Sequence, residues 1–494
     1  MARLLAACIA LASVSLLLPS EPSYDPWAWL VWGRELSHLE LDTYGGPSWK
    51  PLPVALLALT APLGELSASL WMVVARAGAV LAMAMAFRLA ARLAGGSAPL
   101  RAVAGTVAAV ALALTPDWFQ FAAHGSEAPL AVALMLWAVE RHLDGRPGHA
   151  LALAAAVCLM RPELFPFLVL YAAWAWRAEP PLRPALAALM VAIPLAWLVP
   201  DWVGSGNPLD GGSQARSEPF WSLSHAERPW LRALDRVHNH TGLALELLAA
   251  AAVVAAAWRR ERAVLVLAGG AAAEAALYMA MTQAGFSGNP RYVLPALTIA
   301  CVLAGVGAAR AAEAGAAGAG AARRVSQARA ARLSSPAGAA LALALVALLT
   351  APLVSARVER LGREAREVGR RMELQRDLAR AVDAAGGPEA LRALGSATSN
   401  RALHTRLAWE LERPIQDVER GYGHRVVFRT RRERLAGEVL VWGRAEKRTP
   451  VARSGTFQVY RRIGLTYRLF TSSLQGIHIL DPGGRNALDR VVTR

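Results

Sequence analysis

The residues of this chain best equipped for chemistry lie in short polar runs between long apolar ones. Tyr24-Asp25-Pro26-Trp27-Ala28-Trp29 follows the first apolar segment, and Ser48-Trp49-Lys50-Pro51 closes the same stretch. Three further runs carry charge: His124-Gly125-Ser126-Glu127, Arg161-Pro162-Glu163 and Asn289-Pro290-Arg291-Tyr292. A carboxylate between a tyrosine and a proline, with tryptophans beside it to restrict water, has the makings of a general base. Lysine and arginine in the same set can hold an anion. A segment needed only to join two spans has no use for such groups, and loops of about thirty residues are commonly functional or disordered. Residues 21–51 therefore read as the catalytic loop of a membrane enzyme. Charge at membrane depth is costly and marks a function by default.

The elements that must position these groups are apolar. The chain of 494 residues is 55% hydrophobic with a mean hydropathy of +0.31, too apolar for an ordinary soluble protein of this size. Runs rich in Ala, Leu and Val recur to about residue 354 and have the length and purity of bilayer spans. The first ends at Leu18; Ser20-Glu21-Pro22 follows with no small-x-small cleavage site, so it reads as a retained span. Leu52 to Ala61 is too short to cross and is bracketed by prolines, as in a re-entrant or interfacial helix. Spans are expected over 66–89, 102–114, 128–139, up to Val199, 243–258, 263–282, 292–309 and 337–354. Two short pieces within 149–176, broken at Arg161-Pro162-Glu163, bring the total to about eleven.

Loop charge orients the set. The links at 88–101, 140–149, 177–183, 259–262 and 310–332 are rich in Arg, whereas loop 21–51 is net acidic and 115–127 has no Lys or Arg. The positive-inside rule then places the N-terminus in the cytoplasm and the loops 21–51, 115–127, 200–241 and 283–291 outside the plasma membrane. Residues 311–335, rich in Ala, Gly and Arg, read as a flexible cytoplasmic linker.

Two domains follow: a membrane domain over 1–355 and a soluble, extracytoplasmic α+β domain over 356–494. The second holds 28 Lys+Arg against 16 Asp+Glu, most of the chain's net +16. A basic domain tethered to spans suits anionic headgroups, lipid phosphates or an acidic polymer, and argues against nucleic acid. Val358, Leu361, Ala365, Val368, Met372 and Val382 predict an amphipathic helix that ends before Gly386-Gly387-Pro388. Helical stretches are expected at 389–394 and 402–412, and strands at 426–428, 439–442, 457–461 and 465–470. Cys8, Cys158 and Cys301 fall far apart inside apolar segments, as small core residues do.

An acidic residue just after the first span, in a long external loop, resembles the polyprenyl-phosphate-dependent glycosyltransferases of the GT-C fold. The five polar runs in their order, with Gly125-Ser126-Glu127-Ala128-Pro129-Leu130 and Arg161-Pro162-Glu163 among them, are similar to actinobacterial terminal β-(1→2) arabinofuranosyltransferases of the cell envelope. The resemblance implies a polyprenyl-phosphate sugar donor, an envelope glycan or glycolipid acceptor, and arabinofuranose as the sugar. The family's second acidic position is occupied by Trp27, so there is no paired carboxylate to bridge a metal to a nucleotide sugar. A lipid monophosphate leaving group, neutralised by Arg, Lys or His, fits better; no cofactor is called for, and a divalent metal stays open.

Within that reading Asp25 is the base that takes the acceptor's hydroxyl proton while phosphate leaves the opposite face of the sugar. Its rival role is to cap a helix starting at Pro26. Lys50, Arg161 and Arg291 are the expected phosphate ligands, with snorkelling towards headgroups as the alternative. Tyr24, Trp49, His124, Glu127, Glu163 and Tyr292 are the expected substrate contacts; Glu127 can equally be a plain helix-start acid, and the tryptophans interfacial belt residues. His238-Asn239-His240 is too short a signal for a metal site. Two other classes compete. A transporter or lipid flippase should show inverted repeats and internal charge in both halves, yet after residue 243 the spans carry only Glu274 as an internal acid. A non-catalytic scaffold for envelope assembly would not need Asp25 or Arg161.

Overall fold

The computed structural model describes residues 1–216, 222–325, 336–419, 426–432, 447–463, 469–471 and 477–479. Helix covers each of the eleven apolar segments, from Ala2–Ser15 at the N-terminus to Pro336–Ala384. Ala- and Leu-rich runs need little else, because these side chains lose little freedom in a helix, and the helix pairs its backbone groups internally. Among the described residues four helices, Leu66–Ala94, Pro180–Ser205, Arg262–Gln283 and Pro290–Ala314, are long and apolar enough to cross a membrane alone. A fifth span forms if Pro229–Thr241 and Leu243–Arg259, bent 89° at Gly242, count as one. The pieces expected within 149–176 are short helices, Pro147–Cys158 and Phe165–Ala178, separated by the turn that carries Arg161.

Pro290–Val325 is the axis of the bundle, with Leu294, Leu297, Val302 and Val306 buried. Two glycines allow its close approaches. A Cβ on Gly305 would stand 2.2 Å from the carbonyl oxygen of Ala104, and one on Gly307 only 1.9 Å from that of Leu248. Small residues let helix backbones meet where no hydrophobic force distinguishes protein from lipid. This helix runs on through the first part of the stretch expected to be a linker; alanine's high helix propensity is sufficient cause. Residues 326–335 lie outside the described residues.

Loop 21–51 is mostly ordered structure. Tyr24–Ser37 is a helix, and Pro51–Thr60, with proline in its first turn, is the short apolar helix expected there. Trp27, Trp29 and Trp32 are fully buried and Trp49 nearly so. They belong to one core with Leu374, Leu378, Leu407, Trp409, Phe428 and Phe457 of the tail. Trp27 donates to Gln375 Oε1 at 2.7 Å and packs against Trp409 with ring centroids 5.9 Å apart. Trp49 donates to the Ala196 carbonyl at 3.0 Å and packs on Trp32. These rings are interior packing.

The tail does not begin at a break. Pro336–Ala384 is one helix, so the last apolar segment and the amphipathic helix expected after it are continuous. Gly387–Leu394 and His404–Glu410 are the helices expected at 389–394 and 402–412. A four-stranded sheet follows among the described residues, ordered Ala397–Thr398, Val426–Thr430, Phe457–Ile463, Lys447–Ser454. Its first pair is parallel and the other two are antiparallel, with Val427 opposite Tyr460. Lys447–Ser454 has no counterpart among the expected strands: its lysine, arginines and proline hide it, yet an edge strand tolerates a proline, here beside a bulge. Leu469–Thr471 pairs with Ile477–Ile479; the strand expected at 439–442 lies outside the described residues.

Candidate active site

The start of Tyr24–Ser37 is fixed by backbone bonds from its approach segment. Glu21 N–H donates to the Ala123 carbonyl at 3.4 Å and Ser23 N–H to the His124 carbonyl at 3.0 Å. His124 is thereby brought beside the first turn that carries Asp25. Ser23 occupies the N-cap position, and no side chain caps the helix, so capping is not what Asp25 does. Its carboxylate instead pairs with the guanidinium of Arg291. Arg291 opens Pro290–Val325, and its N–H donates to Asn289 Oδ1 at 3.1 Å.

One layer back lies a buried charge cluster. Glu127, at the start of Ala128–Leu143, is 0% exposed; Lys50 is 5% and Arg161 1%. Lys50 Nζ approaches Glu127 Oε1 to 2.9 Å and donates to the Met160 carbonyl at 3.1 Å. Arg161 Nη1 approaches the same carboxylate oxygen to 3.2 Å, and Nη2 lies 2.6 Å from Glu163 Oε1. Ser126 Oγ donates to Glu127 Oε2 at 3.2 Å. Burial alone would raise the Glu127 carboxyl, but Lys50, Arg161 and Arg291 outweigh it and hold the group well below the usual carboxylate range. Arg161 also donates to the main-chain carbonyl of Arg291, and its guanidinium lies 5.1 Å over the Tyr292 ring. The cluster fixes the backbone from which Arg291 reaches Asp25.

In front of the ion pair is a cavity of about 430 Å³. Ser23, Tyr24, Asp25, His124, Asn289 and Arg291 line it from the membrane domain, with Asp117, Gln120 and Phe121 beside them. The tail closes it with Arg371, Leu374, Gln375, Ala402 and Leu403. Burial, with Arg371 nearby, pushes the His124 imidazole down to about 4, so it is neutral at ordinary pH. Its Nδ1 lies 3.2 Å from the Glu21 carbonyl, which can only accept; Nδ1 therefore carries the proton and Nε2 is left as an acceptor. Asp117 is held by its own N–H to Glu364 Oε1 at 3.3 Å and by His240 Nε2 at 3.2 Å. His238 turns to Glu246 at 3.0 Å, so the two histidines of that run face different partners. No group of three His, Cys, Asp or Glu side chains among the described residues is placed to hold a metal.

Of the residues singled out in sequence, Tyr24, Asp25, His124 and Arg291 meet at the cavity. Lys50, Glu127, Arg161 and Glu163 are gathered in the buried cluster and do not line it; the guanidinium groups of Arg161 and Arg291 both lie over the Tyr292 ring. Trp49 lies in the core. Gln120, Arg371 and Gln375 line the cavity too and belong to none of the polar runs. Gln375 had a signal: it interrupts the apolar stripe of Val368, Met372 and Val382 at helical spacing, and both ends of its amide are used, to Trp27 and to the Pro22 carbonyl at 2.9 Å.

No family model and no curated protein matches the chain. Among solved structures it is similar to ArnT from Cupriavidus metallidurans bound to undecaprenyl phosphate, with a TM-score of 0.54 and 16% identity over 93% of this chain and 97% of that one. The apo state of the same protein gives a TM-score of 0.49 at 17% identity. The likeness spans membrane domain and tail together and shows the fold: a polytopic, helical GT-C architecture with a small C-terminal sheet region.

Proposed function

We propose that this chain is an integral membrane glycosyltransferase that takes a sugar from a polyprenyl-phosphate donor and passes it to an envelope glycan or glycolipid on the outer face. The observation that carries the reading is the juxtaposition, on one cavity wall, of a carboxylate and a guanidinium from helix starts 266 residues apart. That pair is what a lipid-phosphate sugar requires: a base for the acceptor hydroxyl and a cation for the leaving phosphate. The GT-C fold supports it, and the neighbour of that fold is a protein with undecaprenyl phosphate bound.

Asp25 accepts the acceptor's hydroxyl proton as its oxygen attacks the anomeric carbon, and the phosphate departs from the opposite face with inversion. No acid is needed, because phosphate is already a good leaving group. Arg291 contacts the phosphate. Lys50 and Arg161, the other two expected ligands, act one layer back, clamped by Glu127 and Glu163 so that Arg291 stays in place. Tyr24 and His124 Nε2 face the substrates. Arabinofuranose is the sugar proposed, on the strength of the sequence resemblance alone.

Purified protein in lipid nanodiscs, given polyprenyl-phosphate sugars and an envelope glycan fraction, tests this. Transfer from the lipid donor and none from a nucleotide sugar is the expected result. Direct use of a nucleotide sugar without lipid would refute the donor class.

A further inference from the structure

We propose that Arg291 changes partner during turnover: the donor's phosphate draws its guanidinium away from Asp25, so the base is exposed only once donor is bound. This rests on the reading of Asp25 as base and of a polyprenyl phosphate as donor. Of the four cations near the site, Arg371 on the tail side is paired with Glu367, Lys50 is held by Glu127 and the Met160 carbonyl, and Arg161 by Glu127, Glu163 and the Arg291 carbonyl. Lys50 and Arg161 do not line the cavity. The Arg291 side chain does, and so does its partner; their side chains are 21% and 17% exposed.

Two features suit Arg291 to an exchange. Its main chain is fixed on both sides, by Asn289 Oδ1 and by Arg161, so the side chain can swing without moving the helix. Its Nε is buried without a hydrogen-bond partner, a donor that the carboxylate leaves unused. A phosphate offers several oxygens to a planar fork and can engage two guanidinium N–H groups at once. The exchange swaps one anion for another and moves no proton: arginine stays charged, and Asp25 is left ionised and free to accept one. In the unliganded cavity Asp25 is then not free to act as the base. After transfer the lipid monophosphate carries more charge than the donor did and holds Arg291 until it leaves, when the pair with Asp25 reforms.

Equilibrium binding of undecaprenyl phosphate to the full-length protein in nanodiscs tests the exchange through a double-mutant cycle. If Asp25 competes for Arg291, Asp25→Asn tightens binding by at least about fivefold, and Arg291→Gln weakens it by at least about fivefold. The gain from Asp25→Asn disappears in the Arg291→Gln background. Arg291→Met gives the same comparison should the glutamine variant not be recovered. Unchanged affinity in Asp25→Asn overturns the exchange, as does an equal gain with and without Arg291, which would reflect loss of negative charge alone. Absence of binding by the unmodified protein would instead refute the polyprenyl-phosphate reading on which the exchange rests.

Discussion

Asp25 and Arg291 pair with each other at the cavity, whereas Lys50 and Arg161 are committed to Glu127. Sequence brought all five charged residues to notice through their motifs, but not the order of their layers. That order depends on which side chain lands on which carboxylate, and chain spacing carries no trace of it. Glu35 shows the same limit. Near the end of Tyr24–Ser37 it is buried, with Oε2 accepting from Asp42 N–H at 3.0 Å and Oε1 left without a partner. Burial, joined by the charges of Asp42 and Asp417, pushes its carboxyl up to about 8. The folded protein therefore keeps a proton that the unfolded chain sheds from pH ~4.5 upward, and stability falls as pH rises through that window towards 8. Glu35→Gln removes the titration and keeps an acceptor for Asp42 N–H. It should leave stability at pH 5 nearly unchanged and raise it at pH 8 by about 1–3 kcal/mol. Thermal unfolding of both proteins at the two pH values checks this; equal loss between pH 5 and 8 in the variant would show that another group is responsible.

Among the elements, the helix Tyr24–Ser37 does most to position the site, and it depends on the tail. Its tryptophans fill a core whose other half is more than 330 residues away. Sequence marked residues 21–51 as functional and placed the following short helix. It gave no sign that the tryptophans are interior, since a tryptophan-rich segment beside a membrane looks the same whether it faces lipid, sugar or protein. Trp409→Ala, at the tail side of that core, should cost about 3–5 kcal/mol and expose loop 21–51 to limited proteolysis. A protease-resistant loop in that variant would show that the tail is not its support. In the bundle, Gly307→Ala should destabilise by about 1–3 kcal/mol, because a methyl cannot occupy the place of the Leu248 carbonyl. A melting temperature unchanged from the parent would contradict the close packing seen there.

At the scale of the whole molecule, the helices of the eleven apolar segments, the short helix Pro51–Thr60 and several helices of the tail were legible from hydropathy and spacing. The continuity of Pro336–Ala384, the edge strand and the cavity between membrane domain and tail were not, because each is set by partners distant in sequence. The shared core packs loop 21–51 against the tail, and both are expected on the outer face. Single cysteines at Asn207 and Glu389 should react with an impermeant thiol reagent from outside intact cells, and one at Arg146 should not; the three native cysteines are buried and silent. A tail protected in intact cells would move the site to the cytoplasmic face. The most direct test of the central claim is turnover by Asp25→Asn. The change keeps the size of the side chain and leaves Ser23 at the cap, so the protein should insert and fold normally and still bind lipid phosphate. What it removes is the carboxylate proposed as base, and a general base contributes about 10² to 10⁴ in rate. Release of free polyprenyl phosphate from a polyprenyl-phosphate sugar, measured per mole of folded protein, should fall by at least about 10²; near-normal release would contradict Asp25 as the base, and with it the account of this cavity as an active site.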